Sequence, residues 1–332
     1  MEIKDLAGLS EPLKKLIEVV SQGLGALSKP YLIRKTADAK AYEIKAISDA
    51  IKDNHGNLKE IGYSEEKLSL MSLDSESIKN ELAIEERTKN RIEYKEQKRQ
   101  KNIENITQNA VKNLEAETNV SEEPVDEDWT TRFFNYAEDV SNDEMQDLWG
   151  RILAGEIKQP NSFSLRTLEL IRNLTKIEAQ VFTKAANFVI SSWNSPFLFK
   201  GKNEDSLANY GFSFEDQLLL TEIGIIQAET NISRRLSKQD NDSILYFESG
   251  NKIIKTSKKA NTPEHRISIL RFSKIGVELL KLITPTVNDD YLKEFCLSLE
   301  TVKIDTEYAF ILSKNNGQIQ HTEPWVKYKK EE

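Results

Sequence analysis

The stretch "EERTKNRIEYKEQKRQK" (85–101) constrains the fold most: 11 of its 17 residues are charged, with both signs mixed, and Ile92 is its only aliphatic residue. It contains no glycine or proline, so it favours helix, yet it offers no face wide enough to bury against a core. It therefore predicts a long helix whose middle stands in water. Apolar positions return at Ile103, Ile106, Ala110 and Leu114, so the far end of this helix docks. A coiled coil is the sharper reading of the same segment, but sustained heptads are missing.

The preceding residues predict an amphipathic helical hairpin over 1–54. In "LSEPLKKLIEVVSQGLGALSKPYLIRK" (9–35), Ser10 caps a helix with Pro12 in its first turn, and Leu13, Leu16, Ile17, Val20, Leu24 and Leu27 form one stripe. Gly23 and Gly25 weaken its end and Pro30 breaks it. A second stripe follows at Ile33, Ala37, Ala41, Ile44, Ser48 and Ile51. Across 1–54 nine bases face eight acids, too balanced for strong attraction to anionic lipid. The stripe is thus read first as a homo-oligomer face, with peripheral membrane contact as the alternative. A loop and the charged helix fill 55–118. The segment "EAETNVSEEPVDED" (115–128), with seven acids, no base and a proline, then predicts an acidic linker at 119–128 and a domain boundary.

A helical domain is expected over 129–200. Ser141 and Glu144 match a capping box ahead of Met145, Leu148, Trp149, Ile152 and Leu153, with Gly155 as terminator. Ser164 opens a second helix with Leu165, Leu168 and Ile171, and Thr175 with Glu178 caps a third containing Phe182, Ala185 and Val189. Aromatic residues at this spacing are core.

The period changes after residue 200. "SFEDQLLLTEIGII" (213–226) reads as a capped helix, "SILYFESGNKIIKTSKK" (243–259) as a hairpin turning at Ser249-Gly250-Asn251, "HRISILRFS" as a strand and "SKIGVELLKLI" as a helix. That order predicts a winged-helix-like module over 201–285. A helix and a hairpin with an Asn316-Gly317 turn follow over 286–332. The fold class expected is mainly α with a small β component. Between Ile232 and Ile275 ten bases face four acids, and Arg234, Arg235, Lys252, Lys255, Lys258 and Lys259 form the centre of this surplus. They are the candidate site for nucleic acid or a protein partner. The helix "EDQLLLTEIGI", however, lacks the Arg, Asn and Gln that read base edges.

Composition limits the rest. At 332 residues, 38% hydrophobic and 30% charged, the chain fits two modest domains, and a net charge of -8 opposes a surface coated for nonspecific nucleic-acid binding. The lone Cys296 excludes an intrachain disulfide and fits a cytoplasmic location. His55, His265 and His321 have no metal-ligand spacing, and no GxxxxGK[ST], GxGxxG or nucleophile elbow occurs. No catalytic residue, metal or cofactor is predicted, and no segment is apolar enough to span a bilayer.

The pattern LWGRILAGEI followed by SxRTLEL and "LTKIEAQVF", within 123–182, together with the N-terminal "LSEPLKKLIEVVSQGLGALSKPYLIRKTADAKAYEI", resembles a bacterial family defined only as a domain of unknown function. The same pattern is distantly similar to the Abi-alpha abortive-infection proteins. The resemblance implies a bacterial defence or stress setting and transfers no catalytic residue. The expected function is a non-enzymatic interaction protein that oligomerises through its N-terminal helices and binds a partner through its C-terminal part. The alternatives are a winged-helix nucleic-acid-binding regulator and a membrane-associating effector.

Overall fold

The computed structural model describes residues 10–24, 84–115, 117–201, 206–229, 231–315 and 318–328. The second stripe of the hairpin, Leu27, His55, the loop expected ahead of the charged helix and the Asn316-Gly317 turn lie outside the described residues. The chain divides into two compact units, the first ending at Phe163 and the second starting at Ser164.

Among the described residues the first unit is helical, with α1 (Glu11–Leu24), α2 (Ile84–Leu114), α3 (Glu127–Ala137) and α4 (Asp143–Lys158). The α1 stripe packs inside the protomer. Leu13, Leu16, Ile17 and Val20 are buried, Leu24 is half-buried, and the helix lies against α2, α3 and α4. Gly23 permits this approach, because a Cβ there would stand 2.2 Å from the Phe134 ring. The α2 helix divides as its charge pattern requires. Ile92 and Tyr94 are exposed, whereas Ile103, Ile106, Ala110 and Leu114 are buried, chiefly against α4. The acidic segment lies within this unit: Lys15 Nζ donates to the Ser121 and Glu123 carbonyls, both at 2.6 Å, Val125 is buried, and Asp126 caps α3. Its core stacks Trp129 on Phe133 (5.1 Å) and Phe133 against Trp149 (5.2 Å).

The LWGRILAGEI residues are accounted for by packing. Trp149, Ile152 and Leu153 are fully buried, and a Cβ on Gly150 would meet Asn109 at 2.5 Å, so this glycine sets the α2–α4 contact. Gly155 does not end the helix as expected. The helix runs on to Lys158, and Gly155 makes room for the Phe163 ring. The buried Glu156 accepts the N–H groups of Asn161 (2.6 Å) and Phe163 (2.9 Å), holding the turn that follows. The cap of α4 is Asn142, one residue beyond the Ser141 that the box pattern indicated.

The second unit contains α5 (Leu165–Asn173), α6 (Lys176–Ala186), β1 (Val189–Ser192), β2 (Ser195–Phe199), α7 (Ser206–Asn209), α8 (Phe214–Glu222) and β3 (Ser233–Leu236). There follow β4 (Ser243–Ser249), β5 (Lys252–Lys258), β6 (His265–Arg271), α9 (Lys274–Leu280), α10 (Asp289–Glu300), β7 (Ile304–Asn315) and β8 (Gln318–His321). The strands form one eight-stranded sheet in the order β3-β6-β2-β1-β4-β5-β7-β8, every pairing antiparallel.

This sheet corrects the expected fold class. Helix takes 49% and strand 21% of the described residues, so the protein is not mainly α. The predicted wing, β4–β5, turns at Gly250 as read, but it is the middle of a sheet. On one side lie β1 and β2, from residues assigned to the helical domain, and on the other β7. A winged helix leaves its wing as a two-stranded ribbon; here both edges of the ribbon are paired.

The sheet is strongly curved. Lys258 Nζ on β5 donates to the carbonyls of Leu236 (3.0 Å) and Ser237 (2.7 Å) at the end of β3, although four strands separate β3 from β5. Helix α10 fills the concave face. Phe295 meets Phe199 (5.3 Å), Phe247 (5.4 Å) and Phe197 (6.5 Å), and the Tyr291 hydroxyl accepts from Phe199 N and donates to Phe199 O. At the N-terminus of α5, the buried Glu278 of α9 accepts from Ser164 N, Ser164 Oγ and Thr167 Oγ1 at 2.5–2.9 Å. This carboxylate replaces the N-cap bond that Ser164 itself does not make.

Candidate interaction surface

The six predicted basic residues do not form one exposed patch. Alternation along β5 sends Lys252 and Lys258 to the concave face and Lys255 to the outer one. Lys252 is only 4% exposed; it is ion-paired with Asp289 and lies over the Tyr308 (4.7 Å) and Phe310 (5.3 Å) rings. Lys258 is buried on the two β3 carbonyls. Lys255 pairs with Glu307 at 3.2 Å and covers the Trp325 ring at 5.5 Å. Lys259 is exposed and paired with Asp242 at 2.9 Å, a contact that raises the ammonium pKa. Arg235 stands 3.6 Å from Glu264. Only Arg234 among the six lacks an ion pair or hydrogen bond within the described residues. Its guanidinium lies 5.6 Å from the Phe197 ring centre and 5.7 Å from that of Phe247, and burial lowers its pKa. Four of the six candidate residues, Arg235, Lys252, Lys255 and Lys259, are thus paired with carboxylates.

Cys296 is buried on α10, and burial pushes its thiol up to about 12, far from a reactive thiolate. His265 has its pKa lowered by burial and by Lys258, and the His321 ring lies tilted against Trp325, ring centres 4.5 Å apart. Among the described residues no cluster of three His, Cys, Asp or Glu side chains is arranged to hold a metal, and no helix is long and apolar enough to cross a membrane.

The outer face of the sheet carries the features that the sequence reading missed. Ser192 and Ser195 flank a two-residue turn, Trp193-Asn194, in which both residues have positive φ (53° and 57°). That turn type favours Asn and Gly, and an indole there is a backbone outlier. Trp193 is nevertheless 84% exposed, the most exposed of the large apolar side chains described. On β4, Ile244 and Tyr246 are exposed on the side that also carries Glu248, and Tyr246 meets Trp325 at 6.3 Å. Lys255, Glu307 and the Lys314–Glu248 ion pair provide polar groups around these aromatics. The signal is Asn194 between two short apolar runs, "FVIS" and "PFLF", which both fall in the stretch expected to be a helical domain.

A helical unit followed by a helix-filled antiparallel sheet, bearing an exposed aromatic patch, is the class of molecule defined by these elements. The chain belongs to the family described as Protein of unknown function (DUF2806), which matches residues 86–296, from the start of α2 into α10. No curated protein and no solved structure matches it. The likeness to Abi-alpha proteins is not shown by these comparisons.

Proposed function

We propose that the protein is a non-enzymatic interaction protein whose second unit binds a protein partner through the β1–β2 turn and the adjoining outer face of the sheet. The observation that carries this reading is Trp193. Holding a bulky residue at positive φ costs on the order of 1–3 kcal/mol, and its indole gains no burial in return. Tryptophan and tyrosine dominate the energetics of protein interfaces, where a polar rim surrounds an aromatic centre. Tyr246, Trp325 and the ion pairs around them have that composition. A setting in defence or stress response is part of the proposal carried by the Abi-alpha resemblance alone. Self-association, the other part, is assigned to the exposed Ile92 and Tyr94 of α2, since the α1 stripe is buried within the protomer.

The test is quantitative affinity capture from the host with wild type, Trp193→Gly and Tyr246→Ala. Glycine relieves the turn, so Trp193→Gly keeps or raises the melting temperature while losing the captured partner by tenfold or more in yield, about 1.4 kcal/mol at equilibrium. A captured set that neither substitution changes sinks the reading. Binding to single-stranded nucleic acid at low salt that depends on Trp193 replaces it with base stacking.

A further inference from the structure

Residues 322–328 lie along the outer edge of β7 as a strap. Tyr308 N donates to Val326 O at 2.8 Å, Val326 N to Tyr308 O at 2.9 Å, and Thr322 N to Phe310 O at 2.9 Å. The pairing is antiparallel, so successive side chains of the strap pass to opposite faces of the sheet. Trp325 goes to the outer face, where it meets Tyr246, Lys255 and His321. Tyr328 goes to the concave face, where it stacks on Tyr308 at 4.4 Å and accepts from Lys252 Nζ at 3.3 Å. The strap is nevertheless a weak cover. None of residues 322–328 is buried, and Val326 is 44% exposed. It also leaves the edge incomplete: alternation turns the Thr306 N–H and C=O the same way as those of Tyr308, and among the described residues they have no backbone partner on that side.

We propose that the strap is an internal competitor for the protein partner: it occupies a strand-addition site on the β7 edge, and the partner presents an extended segment with two large aromatic residues three apart that takes its place. The inference rests on the reading that the outer face binds a protein, and it supplies the form of the ligand. Strand addition draws affinity from main-chain bonds and specificity from alternate side chains, and the strap shows both in miniature. Tyr308 supplies the main-chain pair, while Trp325 and Tyr328 mark one aromatic position on each face. An incoming strand that also pairs with Thr306 makes main-chain bonds that the strap does not. The site survives the exchange, since Lys252 keeps Asp289 and the Tyr308 and Phe310 rings when Tyr328 leaves. A bare strand edge invites indiscriminate pairing, so a resident strap protects it until a better-pairing chain arrives. The strap lowers the apparent affinity of any external segment by the fraction of time the edge stands open.

The test titrates a capped synthetic peptide of the strap sequence, TEPWVKY, into the full chain and reads binding by calorimetry. Trp325→Ala combined with Tyr328→Ala loosens the resident strap and should tighten peptide binding by about tenfold or more over wild type. The same peptide with alanine at both aromatic positions should bind neither chain. Hydrogen exchange gives a second reading: the Tyr308 amide is protected in wild type, exchanges faster in the double variant and regains protection when the peptide is added. Val326→Pro, which deletes the strap's N–H to Tyr308 O and touches none of the eight strands, should tighten peptide binding in the same direction, so the test survives a double variant that fails to fold. Trp193→Gly leaves the peptide titration unchanged, so failure of the outer-face reading and failure of this one are told apart. Equal peptide affinity in wild type and in the loosened variants overturns the proposal, as does a Tyr308 amide that exchanges only through global unfolding. A wild-type dimer that the double variant converts to monomers also overturns it, making the edge a contact between two copies of this chain.

Discussion

The two units treat the same residue types in opposite ways. In the first, most charges of α2 remain in solvent while Ile103, Ile106, Ala110 and Leu114 of the same helix are buried. In the second, Lys252 and Lys258 are buried in the sheet, held by Asp289, aromatic rings and the carbonyls of Leu236 and Ser237. A surplus of positive charge counted along the chain therefore describes surface potential where the segment is one solvated helix. It fails where alternate residues of a strand face inward and acids arrive from distant elements. The lesson extends to the family signature. LWGRILAGEI and the Ser164 and Thr167 that follow are used by helix packing, turn clamping and the Glu278 contact, so the pattern identifies a fold and is silent on chemistry.

The comparison is tested most severely at Phe295, where the concave face depends on one side chain touching three aromatic rings on two strands, β2 and β4. Phe295→Ala should destabilise the protein by about 3–5 kcal/mol, read as a lowered denaturant midpoint of the full chain. A loss below about 1 kcal/mol would mean that the sheet does not rely on α10. The next largest effect is at Glu278. Glu278→Ala strips the α5 N-terminus of three accepted hydrogen bonds and leaves Ser164 N unpaired, at about 2–3 kcal/mol. Glu278→Gln, which keeps an acceptor oxygen, should recover part of that loss; no recovery would assign the effect to packing.

How much of this was legible in sequence follows the range of the interactions. The α1 stripe, the divided α2, the Thr175–Glu178 box, the cap at Ser213 and the Gly250 turn are set within a few residues, and each appears where its pattern placed it. The sheet was not legible because its pairings are remote: Phe197 lies opposite Arg271, and Lys252 opposite Phe310. Strands as short as "VISS" and "SPFLF" give too few alternations to declare themselves, and "VISS" continues a helical run. The acids that neutralise the basic residues, Asp289 and Glu307, come from elements that composition cannot bring near. For the candidate site, Trp193 became visible only with the turn between β1 and β2.

Gly150 sharpens the contrast from the helical side, because a close approach of two helices is a local rule with a non-local cost. A methyl group there meets Asn109 Cβ at 2.5 Å and the Ala110 backbone nitrogen at 3.0 Å, and backbone cannot yield cheaply. Gly150→Ala, which ordinarily favours a helix by about 1 kcal/mol, should instead destabilise by about 1–3 kcal/mol. Thermal unfolding of the full chain decides the sign, and a stabilised variant would show that α2 and α4 are more loosely packed than described.

The smallest effect concerns Asp216, where a local cap and a tertiary ion pair coincide. Its carboxylate accepts Ser213 N at 2.9 Å, completing the capping box of α8, and Lys184 Nζ of α6 at 2.8 Å. Burial pushes its pKa up, but the bonds from Lys184 and Ser213 more than offset this and hold it below the ordinary aspartate value. The folded-state pKa is therefore lower than the unfolded one, near 3.9. The sign follows from that order: the contribution is complete above the unfolded value and disappears as pH falls through the folded one. Asp216→Asn, which keeps the shape and removes the charge, should cost about 1 kcal/mol at neutral pH. The gap between variant and wild type should close on acidification below about pH 4, read from denaturant midpoints at stepped pH. A gap that persists undiminished to pH values well below the aspartate range would assign the effect to the geometry of the cap instead of to its charge, and Lys184→Met would then leave the midpoint unmoved.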